Sequence, residues 1–162
     1  MRRSLTVSWQ DPGPLAAEGR GMTGIDFLRA IRDGRLPAAP IAELLGMRLV
    51  EVEPGRAAFE CTPGEQHYNP IGVVHGGLTM TLLDSAMTCA VQTRAPAGAN
   101  FTTVEAKTNF VRPITAASGT IRAIGAVLHV GSRLATAEGR LVDAAGKLYA
   151  HATTTCIVLN GG

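Results

Sequence analysis

The stretch Val74–Thr93, VHGGLTMTLLDSAMTCAVQT, decides how the rest of the chain is read. Leu78, Leu82, Ala86 and Cys89 or Ala90 recur at helical spacing, and no proline interrupts them, which predicts a helix. The segment is apolar or small nearly all round, so the helix is expected to be buried on most sides. Its one ionised side chain is Asp84, and a carboxylate in that setting costs several kcal/mol unless something satisfies or uses it. The helix opens at His75-Gly76-Gly77, where unpaired N–H groups and the positive end of the dipole can meet a carbonyl oxygen or an anion. Gly76 and Asp84 are eight residues apart, roughly 12 Å along a helix axis. One reacting carbon needs its partners at about 3–3.5 Å, so the two cannot serve it within one chain. A two-fold dimer with antiparallel helices would bring Gly76 of one copy to Asp84 of the other.

Upstream, the period is two. Arg48–Glu53 turns at Pro54-Gly55 into Arg56–Cys61, a β-hairpin, and residues 63–72 form a loop into the helix. Downstream, strands are expected near 101–111, 118–130, 132–143 and 147–159, with breaks at Pro113, Gly131 and Ala145-Gly146. In the last strand Leu148, Ala150, Ala152, Thr154, Cys156 and Val158 share one face. Long antiparallel strands and one apolar helix predict an α+β domain, a curved sheet wrapped around the helix. Residues 47–162 make this domain, and 1–46 an N-terminal arm with one or two short helices. Residues 1–21, rich in proline and glycine, read as a loose leader or partner-contacting arm. Thr23, with Asp26 three residues on, starts a helix that carries Leu28 and Ile31 and stops at Gly34; a second runs from Pro40 to Gly46. Gly19–Gly24 matches G-x-G-x-x-G, but no strand precedes it, so a dinucleotide site is rejected.

The 162 residues carry a net charge of +2 and 4% aromatics, which argues against nucleic acid. Three well-separated cysteines suit reduced thiols in a cytoplasmic protein. Arg2 and Arg3 are followed by no signal-peptide core, and the central helix is too interrupted to span a bilayer. Ser85 lacks a G-x-S-x-G setting, and the histidines lack metal-ligand spacing.

Asn69-Pro70-Ile71-Gly72-Val73-Val74-His75-Gly76-Gly77, followed by Leu82-Leu83-Asp84, resembles the hotdog-fold acyl-CoA thioesterases of the phenylacetate-degradation (PaaI-like) type. The resemblance runs from about Met47 to Leu159. It implies hydrolysis of an acyl-CoA thioester to free acid and CoA, with no cofactor or metal, in a homodimer or dimer of dimers. It further implies that the Gly76 amide polarises the carbonyl and that Asp84 of the partner subunit acts as base or nucleophile. Asn69 would hold the water or carbonyl, and His75 would pin the Gly76 peptide. A family serine corresponds to Thr103, although strand parity puts Thr103 opposite Val104, Ala106 and Phe110; only a bulge or strand end would let it face the site. Gly77 and Tyr68 are expected at the substrate, Tyr68 with His67 lining an entrance. The turn Gly131-Ser132-Arg133 resembles one that lies near coenzyme A phosphates; a solvated hairpin end is its rival reading.

Other readings remain. Asp84 could be a structural acid held by Thr81 or Thr88, and Asn69 a loop cap. Met80 and Met87 are expected to fill core gaps. The alternative functions are a hotdog dehydratase or hydratase, or a non-catalytic acyl-CoA-binding module.

Overall fold

The apolar stretch forms a 17-residue helix, Gly76–Gln92, in a computed structural model that describes residues 1–160. It is the fourth helix in the chain, α4, after α1 (Pro12–Gly19), α2 (Gly24–Arg32) and α3 (Pro40–Leu45). The strands are β1 (Met47–Glu53), β2 (Arg56–Cys61), β3 (Ala99–Phe110), β4 (Ile121–Val130), β5 (Leu134–Asp143) and β6 (Leu148–Asn160). They form one antiparallel sheet in the order β1-β2-β4-β5-β6-β3, so β1 and β3 are its edges.

Leu82, Leu83, Met87 and Val91 of α4 are fully buried against the inner sheet face, among them Phe59, Ile121 and Leu141. Each such side chain contributes about 1.5–3 kcal/mol relative to exposure. The helix lies so close to β4 that a Cβ on Gly125 would stand 2.2 Å from the Ala86 carbonyl oxygen. Glycine there is the condition for α4 to seat at all. On β6 the expected face holds, since Ala150, Ala152, Thr154 and Cys156 are buried. Met87 fills the core as expected, but Met80 is exposed, because it lies on the side of α4 that no strand of this chain covers.

The N-terminal region departs from the sequence reading. Instead of a loose leader over 1–21, residues 12–19 form α1, whose start is capped by Asp11 accepting a hydrogen bond from the Gly13 N–H at 2.9 Å. The arm therefore carries three helices rather than one or two. Thr23 caps α2, and Gly46 ends α3 in the left-handed conformation (φ 62°) that favours glycine. No helix among the described residues is long and apolar enough to cross a membrane.

Candidate active site

Asp84 sits half-buried in the middle of α4. Its Oδ1 accepts a hydrogen bond from the Thr103 hydroxyl at 2.8 Å and a longer one from Thr88 at 3.4 Å; the two hydroxyls are themselves 2.8 Å apart. Oδ2 has no partner among the described residues. Thr103 gets there by a β-bulge. Thr103 pairs with Cys156 and Glu105 with Thr155, so Val104 is an extra residue and the side-chain alternation reverses across it. Thr154 stabilises the irregular backbone by donating to the Glu105 carbonyl at 2.7 Å. Thr81, a rival partner for Asp84, bonds back to the Gly77 carbonyl instead.

The start of α4 is held from several sides. The His75 N–H donates to the His67 carbonyl and Val74 N–H to Ile114, each at 2.8 Å. His75 Nδ1 accepts from the Gly77 N–H at 2.8 Å, which fixes the Gly76–Gly77 peptide. Gly77 then has no spare donor for a substrate, whereas the Gly76 N–H has no acceptor among the described residues. Asn69 Oδ1 accepts from Ile71 and Val73, closing the loop before the helix; this is the loop-capping role. The Tyr68 ring packs on the core and its hydroxyl accepts from the Ala116 N–H at 2.9 Å, because the loop needs a tie to the turn after β3. His67 likewise accepts from the Gly64 N–H, and burial lowers its pKa.

Asp84 and Gly76 open into different spaces. Asp84, Ser85, Thr88 and Cys89 contribute to the wall of a cavity of about 830 Å³ bounded by α2, α3 and β1. Gly76 lines a separate cavity of about 310 Å³ with Phe110 and Pro113. Burial, with a contribution from the Asp84 carboxylate, pushes the Cys89 thiol up to about 12, so it is neutral and unreactive at ordinary pH. Gly131, Ser132 and Arg133 form the β4–β5 hairpin end, with Ser132 and Arg133 exposed, and line neither cavity. Thr88, one of the hydroxyls expected beside Asp84, does bond it, and α2 and α3 form the cavity's other wall, for which the stripe of Leu28 and Ile31 was a signal that α2 faces something apolar.

Residues 71–150 match the family model described as the thioesterase superfamily. A candidate esterase of Saccharolobus solfataricus is 33% identical over 134 residues, 83% of this chain and 94% of that protein. Human acyl-coenzyme A thioesterase 13 is 38% identical over 65 residues, 40% of this chain and 46% of that one. Among solved structures, a phenylacetic acid degradation-related protein of Ralstonia eutropha, a candidate thioesterase, is 27% identical with a TM-score of 0.72, covering 80% of this chain and 98% of its own.

Proposed function

The chain belongs to the thioesterase superfamily, with the hotdog fold, and on that premise we propose that it hydrolyses acyl-CoA thioesters as a two-fold homodimer. The observation that carries the reading is the pairing of a free Gly76 N–H with a carboxylate whose Oδ1 is fixed and whose Oδ2 is open, lying in two different cavities of one chain. Neither cavity holds both groups, and a second copy related by a two-fold axis can supply the missing one.

Support for that second copy comes from β3. Beyond the bulge, Phe110 pairs with buried Ala150 yet is itself 52% exposed, and Ala106 opposite buried Thr154 is also exposed. Beyond the bulge the inner face of this edge strand is therefore only partly covered by its own chain, and exposed Met80 lies on the neighbouring face of α4. Uncovered apolar surface beside an open strand edge favours pairing with a twin.

In this dimer the thioester carbonyl rests against the Gly76 N–H at the positive end of α4. Negative charge that builds on the oxygen during attack is stabilised there, by a donor fixed beforehand through the His75 cap and the His67 and Ile114 carbonyls. Asp84 of the partner subunit presents Oδ2 on the other side. As base it takes a proton from the attacking water, the C–S bond breaks and the proton passes to the departing CoA thiolate. As nucleophile it displaces the CoA thiolate to form a mixed anhydride, which water then hydrolyses. Asn69 keeps the loop shape that exposes the Gly76 amide, and Arg133 is available for coenzyme A phosphates.

Replacing Asp84 by Asn keeps shape and removes charge. Turnover, followed by free thiol released from acyl-CoA, is expected to fall about 100- to 10,000-fold with an unchanged melting curve. An Asp84→Asn enzyme of wild-type activity refutes the assignment.

A further inference from the structure

The large cavity is a chamber whose outer wall the family model does not reach: α2, α3 and β1 all precede residue 71. The lining from those elements is mostly hydrocarbon, with Phe27 and Ile31 from α2, Leu36 and Ala38 from the connection, and Leu49 from β1. Its charged members reach solvent or are already engaged: Glu43 and Arg48 are exposed, and Arg32 holds Asp33 at 2.7 Å. The opposite wall is Asp84 with Thr88, so the reactive carboxylate faces into an apolar space. Apolar cavities with a few convergent polar groups are the usual form of a small-molecule site, and 830 Å³ falls within the usual size.

We infer that this cavity is the acyl chamber, that it takes an uncharged, apolar acyl group, and that Ile31 on α2 belongs to the wall against which that group packs. The inference rests on the thioesterase reading above. A methylene occupies about as much space as a water, ~30 Å³, so an eight-carbon acyl group needs roughly 240 Å³ and enters with room to spare. Each methylene buried should raise kcat/KM about fourfold until the chamber is full, the equivalent of ~0.8 kcal/mol. A carboxylate at the far end of the acyl group has the opposite effect, since it must be desolvated in a space that already contains Asp84. Ile31 is half-buried and stands on a helix capped firmly by Thr23, so a change of its size alters the chamber without altering the machinery on α4.

The test is a series of acyl-CoAs from acetyl to dodecanoyl, with adipoyl-CoA beside hexanoyl-CoA, assayed by thiol release. For the wild type, kcat/KM is expected to climb from acetyl- to octanoyl-CoA, and adipoyl-CoA to be at least tenfold poorer than hexanoyl-CoA. Ile31→Trp should lower the octanoyl-to-acetyl ratio by obstructing the wall, and Ile31→Ala should lower it about fourfold by removing apolar contact; the Ala variant decides the matter if the Trp variant does not fold. Active enzyme whose chain-length ratios ignore both changes, or that accepts adipoyl-CoA as readily as hexanoyl-CoA, overturns the chamber and leaves the thioesterase reading intact. No thiol from any member of the series overturns that reading itself, and the chamber with it.

Discussion

Thr103 reaches Asp84 only because Val104 is an extra residue in β3. Were β3 paired regularly, without the bulge, Val104 would stand opposite Cys156 and the Thr103 hydroxyl would point to the outer face with Glu105. The acid and the glycine-opened helix were legible in the sequence because their chemistry is local: a lone charge in an apolar helix and a capped N-terminus need no partner to be noticed. The facing of Thr103 was not legible, since a bulge is a property of two strands and β6 sets where the register slips. A hydrogen bond to a charged group contributes about 1.5–3 kcal/mol, which corresponds to roughly 10- to 100-fold if it positions the carboxylate in the transition state. Thr103→Val is therefore expected to lower kcat by about that factor while KM changes little, and Thr103→Ser to restore most of it. Equal kcat in all three proteins would assign the hydroxyl to packing alone.

Among the elements, β1, β2 and β4 are tied across their outer face by Arg122, which meets Glu60 at 3.0 Å and Glu51 at 2.5 Å, while Arg56 also bonds Glu51. Burial works to raise the Glu51 pKa, but hydrogen bonds from Arg56 and Arg122 outweigh it and hold the carboxyl below its ordinary 4.5. A carboxylate depressed on folding stabilises the fold above its unfolded pKa and loses that contribution as pH falls through the folded one. Arg122→Met should thus cost about 1 kcal/mol near neutrality, a melting shift of roughly 2–4 °C. The gap from wild type should close as pH is taken below 4.5; a gap that persists in acid would mean that Arg122 acts through packing. The strands themselves were readable from alternation and turn residues to within three residues. Helix α1 was not, because Pro12, Gly13 and Pro14 look like a breaker until Asp11 is seen to cap them.

At the scale of the whole molecule, the rise of one helix already separated Gly76 from Asp84, whereas the depth and lining of the chamber could not be read, since its walls come from segments distant in sequence. The dimer can be tested by dividing its site between two defective chains. Gly76→Pro replaces the N–H by a ring carbon, at the first position of a helix where proline is tolerated, and extended His75 (φ −62°, ψ 135°) suits a following proline. The Phe110 ring, 3.2 Å from a Cβ at that position, has to give by a few tenths of an ångström. Losing the oxyanion donor should cost about 100- to 1,000-fold in kcat. Mixed with Asp84→Ala chains by co-refolding in equal amounts, half of the dimers combine the two, and each of these holds one site with both groups and one with neither. Roughly a quarter of wild-type activity should then return from two proteins that are each nearly inactive. If each subunit used its own Gly76 and Asp84, mixing would restore nothing, because no site in any dimer would contain both.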